Sequence, residues 1–153
     1  MDTNLYRDGI TTVGLGFHVA KASATVPNAS VQDLFTVTGG RILVMCLVGE
    51  VTTIMGATAN NTKINSNPTT GTTAIVASNL ATENDEAGTL YHVEGDGTAL
   101  VGVNAGFCPC LIHVPWICPV GTIELETGGN NTGATKWDIW YFPLDVGASV
   151  ASA

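Results

Sequence analysis

Short runs rich in Thr, Val and Ile, broken by Gly and Asn at intervals of about 8–12 residues, dominate this sequence. Almost no stretch places apolar residues at the spacing of an amphipathic helix. β-Branched residues favour strands, and Gly and Asn favour the turns between strands. The pattern therefore predicts an all-β chain of about eight to ten short strands, folded as an antiparallel, jelly-roll-like β-sandwich.

The 153 residues are the length of one ordinary domain. We predict a single β-sandwich over residues 13–146, flanked by an N-terminal arm of residues 1–12 and a C-terminal tail of residues 147–153. The tail contains only Gly, Ala, Ser and one Val, so it has nothing large to pack. Such ends fray or are ordered by a partner, and both are expected to be extended arms.

Two hairpins are predicted from the turn signals. In the first, residues 33–38 and 41–55 flank a Gly-Gly pair, and both glycines can take a positive φ. In the second, residues 120–126 and 136–142 flank a tip of small and polar residues.

Two of these strands carry apolar residues on both faces. Residues 42–48 lack polar alternation, which predicts that both faces of the strand are covered, either inside a sandwich or against another subunit. Along residues 136–142, successive side chains fall on opposite faces. One face has Trp137, Ile139 and Tyr141, and the other has Asp138, Trp140 and Phe142.

Charge composition excludes several classes of partner. Only 5 Lys and Arg oppose 13 Asp and Glu, and the formal net charge is -8. The cations are scattered, whereas binding a phosphate backbone needs them clustered, so we expect no nucleic-acid partner.

The longest apolar run, residues 42–48, is far shorter than the roughly 20 residues that span a bilayer, so we expect no membrane partner. The N-terminus lacks the basic start and apolar stretch of a secretion signal, so the protein is expected to stay where it is made.

The densest group of reactive residues is Cys108, Cys110, His113 and Cys118. Three thiols and an imidazole are ligands that zinc accepts. On a strand, however, Cys108 and Cys110 face away from His113, and the spacing matches no familiar zinc pattern. Buried cysteines are the favoured reading, and we expect no metal and no cofactor.

No local signature of an enzyme is present. His18, His92 and His113 are far apart in sequence, and no nucleophile elbow accompanies them. Two acidic runs, at residues 83–86 and 94–97, lack the ligand spacing of a calcium loop and are read as solvated loops. Carboxylates for glycoside hydrolysis could come from Glu124, Glu126 and Asp138. We predict that the protein is not an enzyme and has no catalytic residues.

The assembled pattern of strands and turns resembles small virion proteins of tailed bacteriophages. The likeness covers most of residues 31–146. It rests on segments 34–40, 47–53, 61–63, 67–69, 88–91, 119–123, 131–137 and 141–145. Among such proteins, the head decoration or cement class is the most similar.

This resemblance implies a small β-sandwich subunit, commonly trimeric, that sits on the outside of an assembled phage head and clamps neighbouring shell proteins. The implied partner is the major capsid protein, and the implied location is the capsid surface of the virion after assembly in the host cytoplasm. A homotrimer would use a strand that is apolar on both faces. The predicted oligomer or capsid interface comprises Leu5, Tyr6, Leu43, Met45, Leu47, Trp137 and Trp140.

A phage tail part or a receptor- or carbohydrate-binding module is the competing prediction, because jelly rolls also serve as lectin domains. Trp116 or Trp137 could stack on a sugar if it were exposed near a polar loop. Aromatic residues dominate the cores of β-sandwiches, so a core position is favoured for both.

Overall fold

The computed structural model describes residues 16–95, 97, 100–103 and 114–153. Every regular element within these residues is a β-strand. The strands in chain order are β1 Phe17–Thr25, β2 Val31–Thr38, β3 Ile42–Thr53, β4 Asn61–Pro68, β5 Ala74–Ala81, β6 Leu90–His92, β7 Val101–Val103, β8 Trp116–Cys118, β9 Gly121–Thr127, β10 Ala134–Pro143 and β11 Ser149–Ser152. They form two antiparallel sheets, and the predicted all-β sandwich is confirmed.

Seven of the ten connections between the described strands carry the chain from one sheet to the other. Sheet A has the order β1-β10-β3-β6-β7, and β8 pairs with β3 beside β6. Sheet B has the order β11-β2-β9-β4-β5. Consecutive strands pair only at β4–β5 and β6–β7 among the described strands. The two late strands β9 and β10 therefore lie inside the sheets, between strands from the first half of the chain.

Neither predicted hairpin forms. Strand β2 pairs with β9 and β11 in sheet B, whereas β3 pairs with β10 in sheet A. The Gly39-Gly40 turn is a crossing between sheets, and so is the connection from β9 to β10. The glycines are needed because a Cβ at Gly39, whose φ is 73°, would lie 2.1 Å from the carbonyl oxygen of Gly147. The glycine signal thus marks a turn correctly, but the apolar sides of β2 and β3 meet across the core instead of side by side.

Trp137 is the largest side chain of the core, and it is 1% exposed. Its Nε1 donates a hydrogen bond to Thr135 Oγ1 at 3.0 Å. Its ring packs over Gly49, where a Cβ would lie 2.8 Å from the indole. Tyr91 packs beside it with a ring-centroid distance of 6.3 Å. Other fully buried residues of both sheets complete the core: Leu34, Phe35, Val37, Ile42, Val44, Leu47, Ile64, Ile123, Leu125 and Ile139.

The C-terminal tail is part of the sandwich, which corrects the expected arm. Strand β11 pairs with β2. Val150 is 8% exposed, and its backbone N–H donates to Tyr141 Oη at 3.2 Å. Lys21 Nζ on β1 donates to the carbonyl oxygen of Ala153 at 2.6 Å, which ties the neighbouring edges of the two sheets. Small residues suit this edge strand because backbone hydrogen bonds, not side-chain packing, hold most of it. The predicted N-terminal arm lies outside the described residues.

Candidate interaction surface

The outer face of sheet A carries a row of apolar side chains across three adjacent strands. Phe142 on β10 is the register partner of Leu43 on β3, and Leu43 is the partner of Ile117 on β8. Ile117 is 58% exposed, and the other two are half-buried. Leu43 alternates with the buried Ile42 and Val44, which places it on the outer side. Three strands therefore present a continuous apolar row to the surroundings.

Met45 and Trp140 extend this row along β3 and β10. Both are half-buried. Trp140 stacks on His18 of β1 with ring centroids 4.7 Å apart. We call the set Leu43, Met45, Ile117, Trp140 and Phe142 the apolar face. Leu43, Met45 and Trp140 were predicted for an interface, and the structure brings them onto one side of one sheet.

Charged residues beside the apolar face occur as oppositely charged or hydrogen-bonded pairs. Lys136 Nζ lies 2.7 Å from Glu50 Oε2 across β10 and β3. His18 Nε2 lies 2.7 Å from Asp138 Oδ1 across β1 and β10. The sheet thus limits local excess charge beside the apolar face, although the whole chain carries -8.

Two predicted interface residues, Leu47 and Trp137, point the other way. Leu47 is 0% exposed and Trp137 is 1% exposed, both within the core. Opposite Trp140 and Tyr141, β3 contains one extra residue. The residues of β3 that face the core therefore change from even positions, Ile42 and Val44, to an odd position, Leu47. Their assignment to an interface is therefore wrong, because the sandwich itself buries them. Leu5 and Tyr6 lie outside the described residues.

The outer face of sheet B has the opposite chemistry. Asn67 Nδ2 and Thr122 Oγ1 donate to Glu124 Oε1 at 2.7 and 2.8 Å. Asn65 Nδ2 donates to Glu126 Oε2 at 2.7 Å, and Lys63 Nζ lies 2.8 Å from Glu126 Oε1. The hydrogen bond from Lys63 holds the pKa of Glu126 below its usual value. This ladder of polar pairs is satisfied within the sheet.

The turn from β10 to β11 is held by an ion pair at the end of the sandwich. Arg41 Nε donates to Asp145 Oδ2 at 2.9 Å, and Arg41 Nη2 donates to Asp145 Oδ1 at 2.8 Å. The backbone N–H of Arg41 also donates to Asp145 Oδ2, at 2.8 Å. These hydrogen bonds from Arg41 hold the pKa of Asp145 well below its usual range.

Protonation of Asp145 in acid breaks its ion pair with Arg41, so we expect the free energy of unfolding to fall at low pH. A carboxyl whose folded-state pKa is lowered stabilises the fold above its unfolded-state pKa, here about 3.8, and loses that contribution as the pH falls through the folded-state value. Asp145→Asn therefore lowers the urea midpoint at pH 7 and flattens its decline below about pH 4. Urea titrations from pH 7 to pH 2 measure both effects. Glu86→Gln, in an exposed loop, is the control, and an unchanged acid limb in Asp145→Asn would contradict the expectation.

The structure separates the residues considered for catalysis. His18 is exposed on the outer face of sheet A, His92 is 4% exposed on β6, and His113 lies outside the described residues. Glu124 and Glu126 lie on sheet B, whereas Asp138 lies on sheet A, so the three carboxylates do not form one site. Sequence alone could not place them because it does not assign strands to sheets.

Among the described residues, no three His, Cys, Asp or Glu side chains lie together as a group that could hold a metal ion. Cys108, Cys110 and His113 lie outside the described residues. Cys118 is 1% exposed, burial raises the pKa of its thiol, and Ser66 Oγ lies 3.5 Å from its Sγ.

Across the described residues, no helix is long and apolar enough to cross a bilayer.

Sequence reasoning missed Ile117 and Phe142 as members of the apolar face. Phe142 was placed on the same strand face as Trp140, but its neighbour on β3 was unknown. Ile117 falls in a three-residue strand that pairs with β3, a strand far earlier in the chain. The signal that could have found it is the short apolar run between Pro115 and Pro119.

The architecture and its two chemically different outer faces define a β-sandwich with a candidate protein-binding surface. Comparison with protein-family models, with curated proteins and with solved structures finds no match for this chain.

Proposed function

We propose that the protein is a capsid decoration, or cement, protein of a tailed bacteriophage, which binds the outside of the assembled head and stabilises contacts between major capsid protein subunits. The observation that carries the proposal is the apolar face, because it offers a contiguous surface for a protein partner on a rigid sheet. The resemblance of residues 31–146 to small phage virion proteins supports the choice of partner.

We also propose that the sandwich is a jelly roll. Strands β1 to β6, β9 and β10 make the orders β1-β10-β3-β6 and β2-β9-β4-β5, and the remaining strands add to the edges. Two interleaved four-stranded sheets of this kind fit an eight-stranded double Greek key, an architecture found in viral capsid and lectin domains. The topology supports a viral structural role but does not select it over sugar binding.

In this proposal the subunits form a homotrimer that assembles in the host cytoplasm and remains on the capsid surface of the virion, without nucleic-acid or membrane contacts and without catalysis or a cofactor. Soluble homo-oligomers usually have closed point-group symmetry, and a three-fold ring is one such arrangement. The acidic net charge supports the absence of a nucleic-acid partner.

The first test is the copy number of this chain in purified virions, relative to the major shell protein, from a quantitative denaturing gel. A number comparable to that of the shell protein is expected. A few copies per particle would instead support a tail or receptor-binding part, and absence from the particle would overturn the structural role.

A second test addresses the apolar face directly. Leu43→Asp puts a charge in the middle of the Phe142–Leu43–Ile117 row. Binding of a partner would bury this carboxylate without an opposite charge, which is energetically costly. We expect binding to purified heads to weaken at least about tenfold in a co-sedimentation titration. The matched control is Thr36→Asp, a half-buried position on β2 of the other sheet. Equal binding by both variants would contradict this use of the face.

A carbohydrate-binding module is the second candidate function. It is favoured by the position of Trp140, which is only half-buried on an outer face of the sandwich. Its half-buried indole lies on the outer face of sheet A beside the imidazole of His18, and aromatic faces bind sugar rings by stacking. A glycan array with wild-type protein and Trp140→Ala separates the candidates. Trp137 is unsuitable for this test because it belongs to the core.

A further inference from the structure

Two chain connections meet at the end of the sandwich where β3 ends. The β3–β4 connection and the β5–β6 connection each cross between the sheets there. The backbone N–H of Asn84 donates to the carbonyl oxygen of Gly56 at 3.1 Å, and that of Thr82 donates to the carbonyl oxygen of Asn60 at 3.4 Å. We call residues 82–85 the acidic turn. These hydrogen bonds hold the acidic turn against the chain just before β4.

The side chain of Asn60 is buried at this end and forms no hydrogen bond. It is 1% exposed, and both Oδ1 and Nδ2 are enclosed without a partner. Thr62, two residues further on, points into the sandwich, where its Oγ1 lies 3.0 Å from Thr82 Oγ1. Side chains two residues apart on a strand share a face, so the Asn60 amide also points inward, beneath the acidic turn. A buried amide needs partners, because leaving both of its atoms unpaired is costly.

Two carboxylates of the acidic turn lie at the same end. Asp85 Oδ2 accepts a hydrogen bond of 2.7 Å from Tyr91 Oη, and Tyr91 is 1% exposed in the core. Glu83 Oε2 is enclosed and has no hydrogen-bond partner. Neither carboxylate forms an ion pair with a described Lys, Arg or His. Burial raises the pKa of the Asp85 carboxyl, the hydrogen bond from Tyr91 lowers it, and the negative charge of Glu83 raises it again. The two carboxylates therefore lie close enough to repel each other.

A cation meets the needs of all three side chains, whereas a water molecule does not. Water can form hydrogen bonds with the Asn60 amide, but it leaves the repulsion between Glu83 and Asp85 in place. A metal ion binds carboxylate and amide oxygens together and offsets the negative charge. The net charge of -8 also raises the concentration of cations around the protein.

We propose that Asn60 Oδ1 and the carboxylates of Glu83 and Asp85 bind a calcium ion, which ties the β3–β4 connection to the β5–β6 connection. All three ligands are oxygens, which calcium prefers. Calcium accepts irregular coordination by ligands from separate loops, with water in the remaining positions, whereas magnesium requires near-ideal octahedral geometry. The run of residues 83–86 lacks the spacing of a calcium loop by itself, and Asn60 supplies a further ligand from another connection.

This group differs from the metal clusters considered above, because it contains two carboxylates and one amide. It is therefore compatible with the absence, among the described residues, of three His, Cys, Asp or Glu side chains grouped to hold a metal. We accordingly replace the expectation that the protein has no metal. The ion is structural, so the inference goes beyond the proposed function and does not depend on it.

Terbium luminescence tests the site, because Tb³⁺ occupies calcium sites and is excited by nearby aromatic rings. The Tyr91 hydroxyl lies 2.7 Å from Asp85 Oδ2, and the Tyr91 ring centroid is 6.3 Å from that of Trp137. Wild-type protein freed of metal with EDTA is expected to sensitise Tb³⁺ emission. Ca²⁺ but not Mg²⁺ is expected to displace the Tb³⁺, with an apparent Kd for Ca²⁺ of about 10⁻⁴–10⁻³ M.

Two variants of the same connection make this measurement specific. Glu83→Gln is expected to weaken Ca²⁺ binding at least about tenfold. Glu86→Gln, at an exposed position, is the matched control and is expected to bind like the wild type. Absence of sensitised emission, or equal Ca²⁺ affinity in Glu83→Gln and the wild type, would overturn the proposal.

Asn60→Asp tests the amide as a ligand. A third carboxylate at this position is expected to tighten Ca²⁺ binding at least about tenfold and to lower the thermal midpoint in EDTA, because a buried carboxylate without an opposite charge is costly. Thermal unfolding in EDTA and in excess Ca²⁺ measures both effects. Ca²⁺ is expected to raise the wild-type midpoint by at least about 3 °C and that of Asn60→Asp by more. A response of Asn60→Asp no larger than that of the wild type, or a variant that stays unfolded in excess Ca²⁺, would contradict the proposal. None of these measurements uses phage heads, so they leave the capsid role to its own tests.

Discussion

Trp137→Ala is expected to lower the free energy of unfolding by about 3–5 kcal/mol, the usual cost of removing a buried aromatic side chain. The indole is 1% exposed, packs over Gly49 and beside Tyr91, and donates to Thr135 Oγ1. Because Gly49 has no side chain to fill the space, the cavity cannot collapse readily. Urea denaturation at pH 7, followed by circular dichroism, measures the loss.

Trp140→Ala is the control from the same strand. Trp140 is half-buried on the outer face, and its main defined contact is the stack on His18 at 4.7 Å. Loss of the stacked pair accounts for about 0.5–1.5 kcal/mol, and the total cost is expected to stay below that of Trp137→Ala because removing Trp140 leaves no enclosed cavity. Similar losses for the two variants would mean that the division of β10 into an inner and an outer face is wrong.

Gly121→Ala is expected to cost about 2–6 kcal/mol, from the strain of a positive φ together with steric overlap in a packed sheet. Gly121 begins β9 with φ of 151°, and a Cβ there would lie 2.1 Å from the carbonyl oxygen of Asn67 and 2.7 Å from Pro68 Cα. Both obstacles are backbone atoms of the neighbouring strand β4, so they move only if the sheet moves. The same urea titration measures the effect.

Gly71→Ala separates strain from overlap. Gly71 has a similar φ, 122°, but the nearest atom to its added Cβ is Pro68 Cγ at 3.6 Å, an ordinary contact. Its cost is expected to be the strain alone, about 1–3 kcal/mol. If Gly71→Ala cost as much as Gly121→Ala, the close approach of β9 to β4 would not be responsible.

Local alternation predicted the faces of strands from sequence. In β10, Trp137, Ile139 and Tyr141 are buried and Trp140 and Phe142 are half-buried, as their spacing indicated. A period of two residues is a property of the extended backbone, so it does not depend on which strand lies alongside.

Pairing could not be predicted in the same way. The Gly39-Gly40 turn is compatible with a hairpin or with a crossing between sheets, and the choice depends on β9 and β10, more than 80 residues later. The C-terminal tail was misread for a related reason, because β11 is ordered by backbone pairing with β2 and not by large side chains. For the candidate surface, Leu43 and Trp140 were predictable from their strands, but Ile117 belongs to it only because β8 pairs with β3, about 70 residues earlier in the chain.

The central positions of β9 and β10 have a consequence for how the protein folds while it is being synthesised. Strands β1 and β3 are joined through β10, and β2 and β4 are joined through β9, so both sheets remain split until these late strands leave the ribosome. Pairings between residues so distant in sequence close slowly, because the loop entropy is lost before the contacts form. Until then, the nascent chain carries unpaired apolar strands from its first half, and neither sheet is completed before β9 and β10 are available to pair.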